Sequence, residues 1–333
     1  MAVLLRQIAG ACCALAVSAL ALLASPAAAS PAPSSDPAAA GYLDRIKRAA
    51  RELDYAGVFI YQQGQVMLSS QMAHLVDGSG EHQRVEILDG RAHREFLRHN
   101  DQVRTLFPEL RILLLEQREI EHFPAFYHGD PAALAEHYTV EVEAEPGRVA
   151  GRPCLIAHVN PRASDRWGYR LCADVDSGLL LKAQTIDADG QVLEQVAFSE
   201  VRFGPGLDPA LVKPGQDVSG WREVPAGDPV NLAAEGWRIS APPGFAPISE
   251  IQRTLKHDKS VRQLVLSDGV AAISVFIESY LPSREETAGA KEHGATSIFC
   301  RRLGDYWLTV MGEVPAGTVR QVAEAITFEP RAP

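Results

Sequence analysis

The chain has 333 residues, 46% of them hydrophobic, and a formal net charge of -10 at pH 7. That length suffices for two domains of ordinary size, and the hydrophobic share for packed cores. An acidic surface repels phosphate backbones, which argues against nucleic acid as a partner.

The opening residues, MAVLLRQIAGACCALAVSALALLASPAAAS, carry one charge, Arg6, before an apolar run from Ala9 to Ala24 and a small-residue ending at Ala27, Ala28 and Ala29. This is the pattern of a secretory signal peptide, residues 1–29, cut after Ala29. A membrane anchor is disfavoured because the apolar run falls short of the ~20 residues a span needs. A lipoprotein is disfavoured because Cys12 and Cys13 precede most of that run. The mature protein is therefore expected to be soluble, exported and in an oxidising compartment.

Residues 30–41 are dominated by Pro, Ala and Ser and read as a disordered leader. In YLDRIKRAAREL, residues 42–53, Leu43, Ile46, Ala50 and Leu53 fall at helical spacing between Arg and Lys. That is an amphipathic helix whose apolar stripe needs a sheet to cover.

YAGVFIYQ, QVMLSSQMAHLV, HQRVEILD, AHREFLRH, QVRTLFPE and RILLLEQ then follow, separated by QG, DGSG, DGR and HND. Short polar turns of this kind join neighbouring antiparallel strands. PAALAEHY reads as a short helix with Pro131 in its first turn and Asp130 as its cap. After it RPCLIAHV and WGYRLCADV flank NPRASDR, and LLLKAQTID meets VLEQVAFSEVRF at Ala188-Asp189-Gly190. The strand-helix alternation of a parallel fold is missing, so residues 42–203 are expected to be an antiparallel meander. A register pairing Val159 with Trp167 also sets Cys154 opposite Cys172, and both a cross-strand disulfide and two buried thiols stay open there. Cys300 is left as an odd thiol, expected to be buried in a strand.

Pro and Gly recur from 204 to 235, the signature of a linker. Residues 236–330 then give WRISAPPGF, RQLVLSDGVAAISVFIESYL, ATSIFCRRLGDYWLTVMGEV and VRQVAEAITF. These predict a small sheet closed by one helix that buries Val319, Val322, Ala323 and Ile326, with Thr318 to Gln321 as a capping box. The fold class is α+β.

No phosphate loop, nucleophile elbow, dinucleotide fingerprint or CxxC is found in the chain. Of the ten histidines, His93 and His99 lie six apart, as do His122 and His128. On a strand that offset leaves about 20 Å between them, too far for one ion. His74, His82 and His137 are isolated in polar contexts, so no metal site and no cofactor are expected. Glu116, Glu119 and Glu121 cluster, but the intervening Arg118 reads as a solvated edge rather than a hydrolase pair.

One strand breaks the usual alternation. Tyr55, Gly57, Phe59 and Tyr61 occupy one face of YAGVFIY, while Ala56, Val58 and Ile60 occupy the other. Apolar residues on both faces mean cover on both sides, by ordinary core or by a concave binding surface. LFPELRILLLE repeats the pattern.

The ordered series YAGVFIYQQG, MAHLVDGSGEHQRVEILDGRAHREFLRHNDQV, FPE, GRPCLIAHVNPRASDRWGYRLCADVDSGLLLKAQTID, GQVLEQVAFSEV, PPGF, LVLSDGVAAISVFIE and VMGEVPAGTVRQVAEAI resembles the MucB/RseB family. Those are periplasmic negative regulators of the sigma-E envelope-stress response. The resemblance implies a large domain similar to the carriers LolA and LolB, an unclosed antiparallel β-barrel with helices in its concave side, plus a smaller α/β domain. It implies a periplasmic protein, not an enzyme, that binds a membrane-spanning anti-sigma factor of the MucA/RseA type and shields it from the site-1 protease. Lipid or lipopolysaccharide acyl chains would release it, and it would self-associate. On that reading Phe59, Tyr61, Leu106, Phe107, Leu113 and Leu115, large apolar residues on strands with little polar alternation, would line the lipid cavity. Trp237, Arg262, Phe276 and Tyr280, aromatics and an Arg of the kind that anchors interfaces, would meet the partner. Other functions would be a LolA-type lipid carrier, for which the second domain is superfluous, or an envelope hydrolase, for which no catalytic constellation is found.

Overall fold

A computed structural model describes residues 37–90, 93–117, 123–129, 131–255, 259–282 and 287–329. The expected signal peptide, the first part of the leader, and Arg118, Glu119, Glu121, His122 and Asp130 lie outside those residues. The last leader residues are helical instead of disordered: α1 runs Pro37–Glu52. Proline suits a first helical position and alanines propagate a helix, so the composition that suggested disorder also extends α1 by about a turn.

After α1 come β1 (Tyr55–Gln63), β2 (Val66–Asp77), β3 (Gly80–Ile87), β4 (Arg94–His99), β5 (Gln102–Phe107) and β6 (Ile112–Gln117). Then follow α2 (Pro131–His137), β7 (Tyr138–Val142), β8 (Gly147–Val149), β9 (Arg152–Pro161), β10 (Gly168–Asp174), β11 (Leu180–Ile186) and β12 (Val192–Phe203). The connecting chain holds β13 (Arg222–Pro225) and β14 (Asp228–Pro229). Beyond it are β15 (Trp237–Arg238), β16 (Ala246–Leu255), β17 (Lys259–Ser267), β18 (Ala272–Ser279), β19 (Gly289–His293), β20 (Thr296–Leu303), β21 (Tyr306–Gly312), α3 (Ala316–Ala325) and β22 (Thr327–Phe328).

The first sheet has the order β13-β6-β5-β4-β3-β2-β1-β12-β11-β10-β9-β7, with β8 also on β9. Its two ends do not pair with each other, so it is an open antiparallel surface, broken only by the parallel β13–β6 edge. α1 fills part of one face. Tyr42, Leu43 and Ile46 pack with Phe126, Tyr127, Leu134, Tyr138, Leu171 and Leu180, while Ala49 and Ala50 reach Tyr55 and Met72. Burying a side chain the size of Leu43 or Ile46 contributes roughly 2 kcal/mol. Gly57 is required where β1 crosses β12, because a Cβ there would lie 2.1 Å from the Glu200 carbonyl oxygen.

The second sheet has the order β14-β16-β17-β18-β21-β20-β19, and β15 pairs with β22. Ile273, Val275, Ile277, Leu308 and Val310 pack under α3, where Val319, Val322 and Ala323, with Ile326 just past the helix, are buried. The expected capping box is not formed. The helix is capped three residues earlier, at Pro315, so that Thr318 lies inside α3, and its hydroxyl donates instead to the Asp165 carbonyl, 2.9 Å away, in the chain of the first sheet.

The hairpin register around NPRASDR is two residues from the expected one. Val159 pairs with Tyr169, and Cys154 sits opposite Asp174 while Cys172 sits opposite Ile156. The cysteines are therefore diagonal neighbours on one face, with Cα atoms 5.4 Å apart, and their sulfurs are bonded. Cys300 is a buried free thiol on β20.

Candidate functional site

The strand register decides which predicted residues can share a surface. Across the sheet Gly57 faces Met72, Met72 faces Val85, Val85 faces Phe96, Phe96 faces Thr105, and Thr105 faces Leu114. Val58 likewise leads through Gln71, Glu86, Glu95 and Leu106 to Leu113. Side chains alternate along a strand and directly paired residues share a face, so these are the two faces of one surface. Phe59, Tyr61 and Phe107 belong to the first and Leu106, Leu113 and Leu115 to the second. The six residues expected in one cavity are thus split three and three.

The first face is the concave one that receives α1. Phe59 touches the rings of Phe123 and Phe198, with centroids 5.5 and 6.3 Å away. Tyr61 donates its hydroxyl to Glu194 at 2.8 Å; burial, and then that carboxylate acceptor, raise its pKa. Farther from α1, Val85, Ile87, Phe96 and Leu114 stay half-buried, forming an apolar wall only partly covered among the described residues. Phe107 lies beneath the Arg94 guanidinium, 4.7 Å from its ring centroid. The expected cavity set omits Val85 and Phe96, which adjoin charged residues, and Leu114, which stands in an unbroken leucine run between Leu113 and Leu115; the signal that finds all three is their shared parity with Phe59 across the strand register.

The second face is covered by the connecting chain. Leu106 and Leu113 are buried there beside Glu95, whose Oε1 accepts from Arg84 Nε at 2.5 Å and from the Gly215 amide at 2.8 Å. Leu106 and Leu113 are thereby core residues of a strap rather than cavity lining.

A cleft of ≈ 550 Å³ opens where the two sheets meet. One wall is Gln102 to Arg104 and Leu115 to Gln117; the others come from Glu223, Pro225 to Gly227 and Pro229 and from Ser249 to Ile251, Arg253 and Gln263. Leu115 is the only one of the expected cavity residues on this wall. Arg253 Nη2 and Glu116 Oε1 approach to 3.4 Å across it. Its lining sets Arg104, Glu116, Glu223, Glu250 and Arg253 beside apolar Val103, Leu115, Pro225 and Ile251, and charges of both signs interleaved with apolar groups suit an extended polypeptide better than an acyl chain.

Other contacts fasten the sheets together. Arg166 Nε donates to Asp268 Oδ2 at 2.7 Å, and the Tyr138 hydroxyl donates to the same oxygen at 3.2 Å. Burial raises the Tyr138 pKa, so that hydroxyl keeps its proton. The His128 amide donates to the Gly269 carbonyl at 2.8 Å, and a Cβ at Gly269 would lie 2.2 Å from the His128 carbonyl oxygen. Only glycine, here at φ 94°, permits that approach.

The four expected partner residues do not form one patch. Trp237 is in the core, 3% exposed, against Tyr306 and Phe328. Phe276 is half-buried on β18 opposite Gln263, and so shares its face with a cleft residue. Arg262 pairs with Ile277 on the opposite face and is ion-paired to Glu235. Tyr280 stacks under Arg302, whose guanidinium carbon is 3.9 Å from the ring centroid.

Comparison with known proteins places this geometry. Residues 38–216 match the MucB/RseB N-terminal domain and residues 231–327 the MucB/RseB C-terminal domain. The "Sigma factor AlgU regulatory protein MucB" of Pseudomonas aeruginosa is 30% identical over 300 residues, 87% of this chain and 91% of the relative. The "Sigma-E factor regulatory protein RseB" of Salmonella typhimurium is 26% identical over 305 residues, 89% of this chain and 92% of the relative. A solved complex of Pseudomonas aeruginosa MucA/MucB matches with a TM-score of 0.70 at 28% identity, covering 88% of this chain and 100% of the matched one. A crystal structure of MucB in complex with MucA(peri) gives 0.68 at 27% identity, with 88% and 100% covered.

Proposed function

Because the chain belongs to the MucB/RseB family, we propose that it is a periplasmic regulatory binding protein that restrains a sigma-E-type factor. It holds the periplasmic region of a membrane-spanning anti-sigma factor and keeps the site-1 protease from it. Lipid or lipopolysaccharide acyl chains act as the releasing signal. Residues 42–203 supply the lipid-responsive part and 236–330, with the junction between them, the partner-binding part. Export follows from the signal-peptide pattern at 1–29, and self-association is part of this reading.

The observation that carries the proposal is the pairing of two unlike surfaces in one chain. Val85, Phe96 and Leu114 offer an apolar wall on the concave face, while the cleft beside Glu116 and Arg253 offers a slot edged by charges of both signs. An acyl chain on the first and a peptide in the second occupy different places, as a releasing signal and a held partner must. The mature protein mixed with the periplasmic region of its own anti-sigma factor should form a complex on size exclusion. Lipopolysaccharide or phospholipid should dissolve it in a dose-dependent way. A mixture that never associates, or a complex indifferent to lipid at every concentration, would overturn the proposal.

A further inference from the structure

The ends of β3 and β4 bring together two histidines that are far apart in the sequence. His82 pairs directly with His99, and their rings stack with centroids 4.5 Å apart and planes 15° apart. Both Nε2 atoms turn toward one residue of the β2–β3 turn: His82 Nε2 is 2.9 Å from Ser79 Oγ, and His99 Nε2 is 3.2 Å from the Ser79 carbonyl oxygen. Asp77 Oδ1 lies 3.2 Å from His82 Nε2, and water reaches the group, with 26% of the His82 side chain and 63% of that of Asp77 exposed. Nothing in the regulatory reading uses this group.

We propose that His82 and His99, with Asp77 and the Ser79 oxygens at their open edge, bind one first-row divalent cation of the Zn²⁺ or Cu²⁺ kind. Imidazole nitrogen is the preferred ligand of these ions, and two donors each about 2.0 to 2.1 Å from one tetrahedral ion lie about 3.3 Å from each other. The His82–Asp77 spacing already has that bite. Among the described residues no three His, Cys, Asp or Glu side chains yet surround a single point. The missing step is a side-chain rotation of His99, which is exposed at the hairpin end. Ser79 adds oxygens that a count of those four residue types leaves out, and water fills the remaining position. Asp77 Oδ1 accepts from the Ser79 amide at 2.8 Å and from the Ser79 hydroxyl at 2.7 Å, which fixes the carboxylate beside His82. The site is open and exchangeable, bridging the turn after β2 to the end of β4.

Isothermal titration of the metal-free mature protein with zinc or copper sulfate tests this. One equivalent should bind in the wild type, and His82→Ala and His99→Ala should each weaken it by about tenfold or more, with Asp77→Asn reducing it less. Copper loading should give an electron paramagnetic resonance spectrum with two nitrogen couplings, falling to one in either alanine variant. The metal should also raise the thermal midpoint of the wild type but not of the double variant. Far-ultraviolet circular dichroism controls for folding, since the substituted side chains sit at hairpin ends. No binding, or an isotherm and nitrogen couplings that survive both alanine substitutions, would show that the pair is only a hydrogen-bonded turn and that any ion sits on other histidines.

Discussion

Arg166 and Asp268 form an ion pair between the two sheets, Nε to Oδ2 at 2.7 Å, with side chains only 2% and 1% exposed. The guanidinium also donates to the Pro243 carbonyl and lies 4.7 Å from the Phe245 ring centroid. A charge pair taken this far from water is sustained by its geometry, and losing one member strands the other.

Arg166→Ala should therefore destabilise the protein by about 3 kcal/mol, the usual cost of an uncompensated buried charge. Urea unfolding followed by tryptophan fluorescence measures it. A loss under about 1 kcal/mol would mean that the junction hydrates freely and that the pair is not what holds the sheets.

Reducing the Cys154–Cys172 bond should lower stability by about 3 kcal/mol, from the chain entropy regained by the 18-residue loop. A melting curve with and without reductant reads this, with the Cys154→Ser, Cys172→Ser double variant as a reductant-insensitive control. An unchanged midpoint after complete reduction would contradict the expectation.

Asp174 carries a pH dependence whose sign follows from its surroundings. Its carboxylate is buried, and burial alone would raise its pKa. Arg152, the Ser177 amide and the Ser177 hydroxyl outweigh that and bring it below the ordinary Asp value. A lowered folded pKa means that the stabilisation is complete above the unfolded value of about 3.9 and fades as pH falls below it. Asp174→Asn should thus cost about 2 kcal/mol at pH 7. That difference from wild type should narrow in acid, as denaturation series at both pH values would reveal.

On the concave face, Leu114→Ser should weaken binding of a fluorescent fatty acid by about tenfold, the effect of losing one well-buried apolar contact. Leu106→Val, on the opposite face under the strap, should leave affinity unchanged while lowering stability by about 1 kcal/mol. Equal effects of the two on affinity would place the acyl chain elsewhere.

The contrast between Leu114 and Leu106 also marks how far the sequence could be read. That β1 is covered on both sides was visible in its own residues, since alternation is a local property. Which leucines share a side with Phe59 was not, because the answer depends on the register of up to five successive strand pairings, from β1–β2 to β5–β6, and a slip of one residue in any of them reverses it. The same dependence explains the cysteine hairpin, where a register two residues off still preserves parity and so still brought the two cysteines to one face. Trp237 escaped for another reason: an isolated aromatic beside a linker looks like an interface anchor, and only the distant β22 strand, through Phe328, turns it into core. His82 and His99 are 17 positions apart in the chain, and nothing but the β3–β4 pairing makes them neighbours.

The short strands β13 and β14 are two residues apart, yet one lies along β6 and the other along β16. Bare, the apolar β6 segment Ile112 to Leu115 would be an open edge of the kind that recruits strands from other molecules into aggregates. The strands that cover β6 and β16 each contain a proline, Pro225 and Pro229, which has no amide hydrogen to offer a newcomer. One stretch of backbone thus caps one edge of each sheet, with four residues on one side and two on the other.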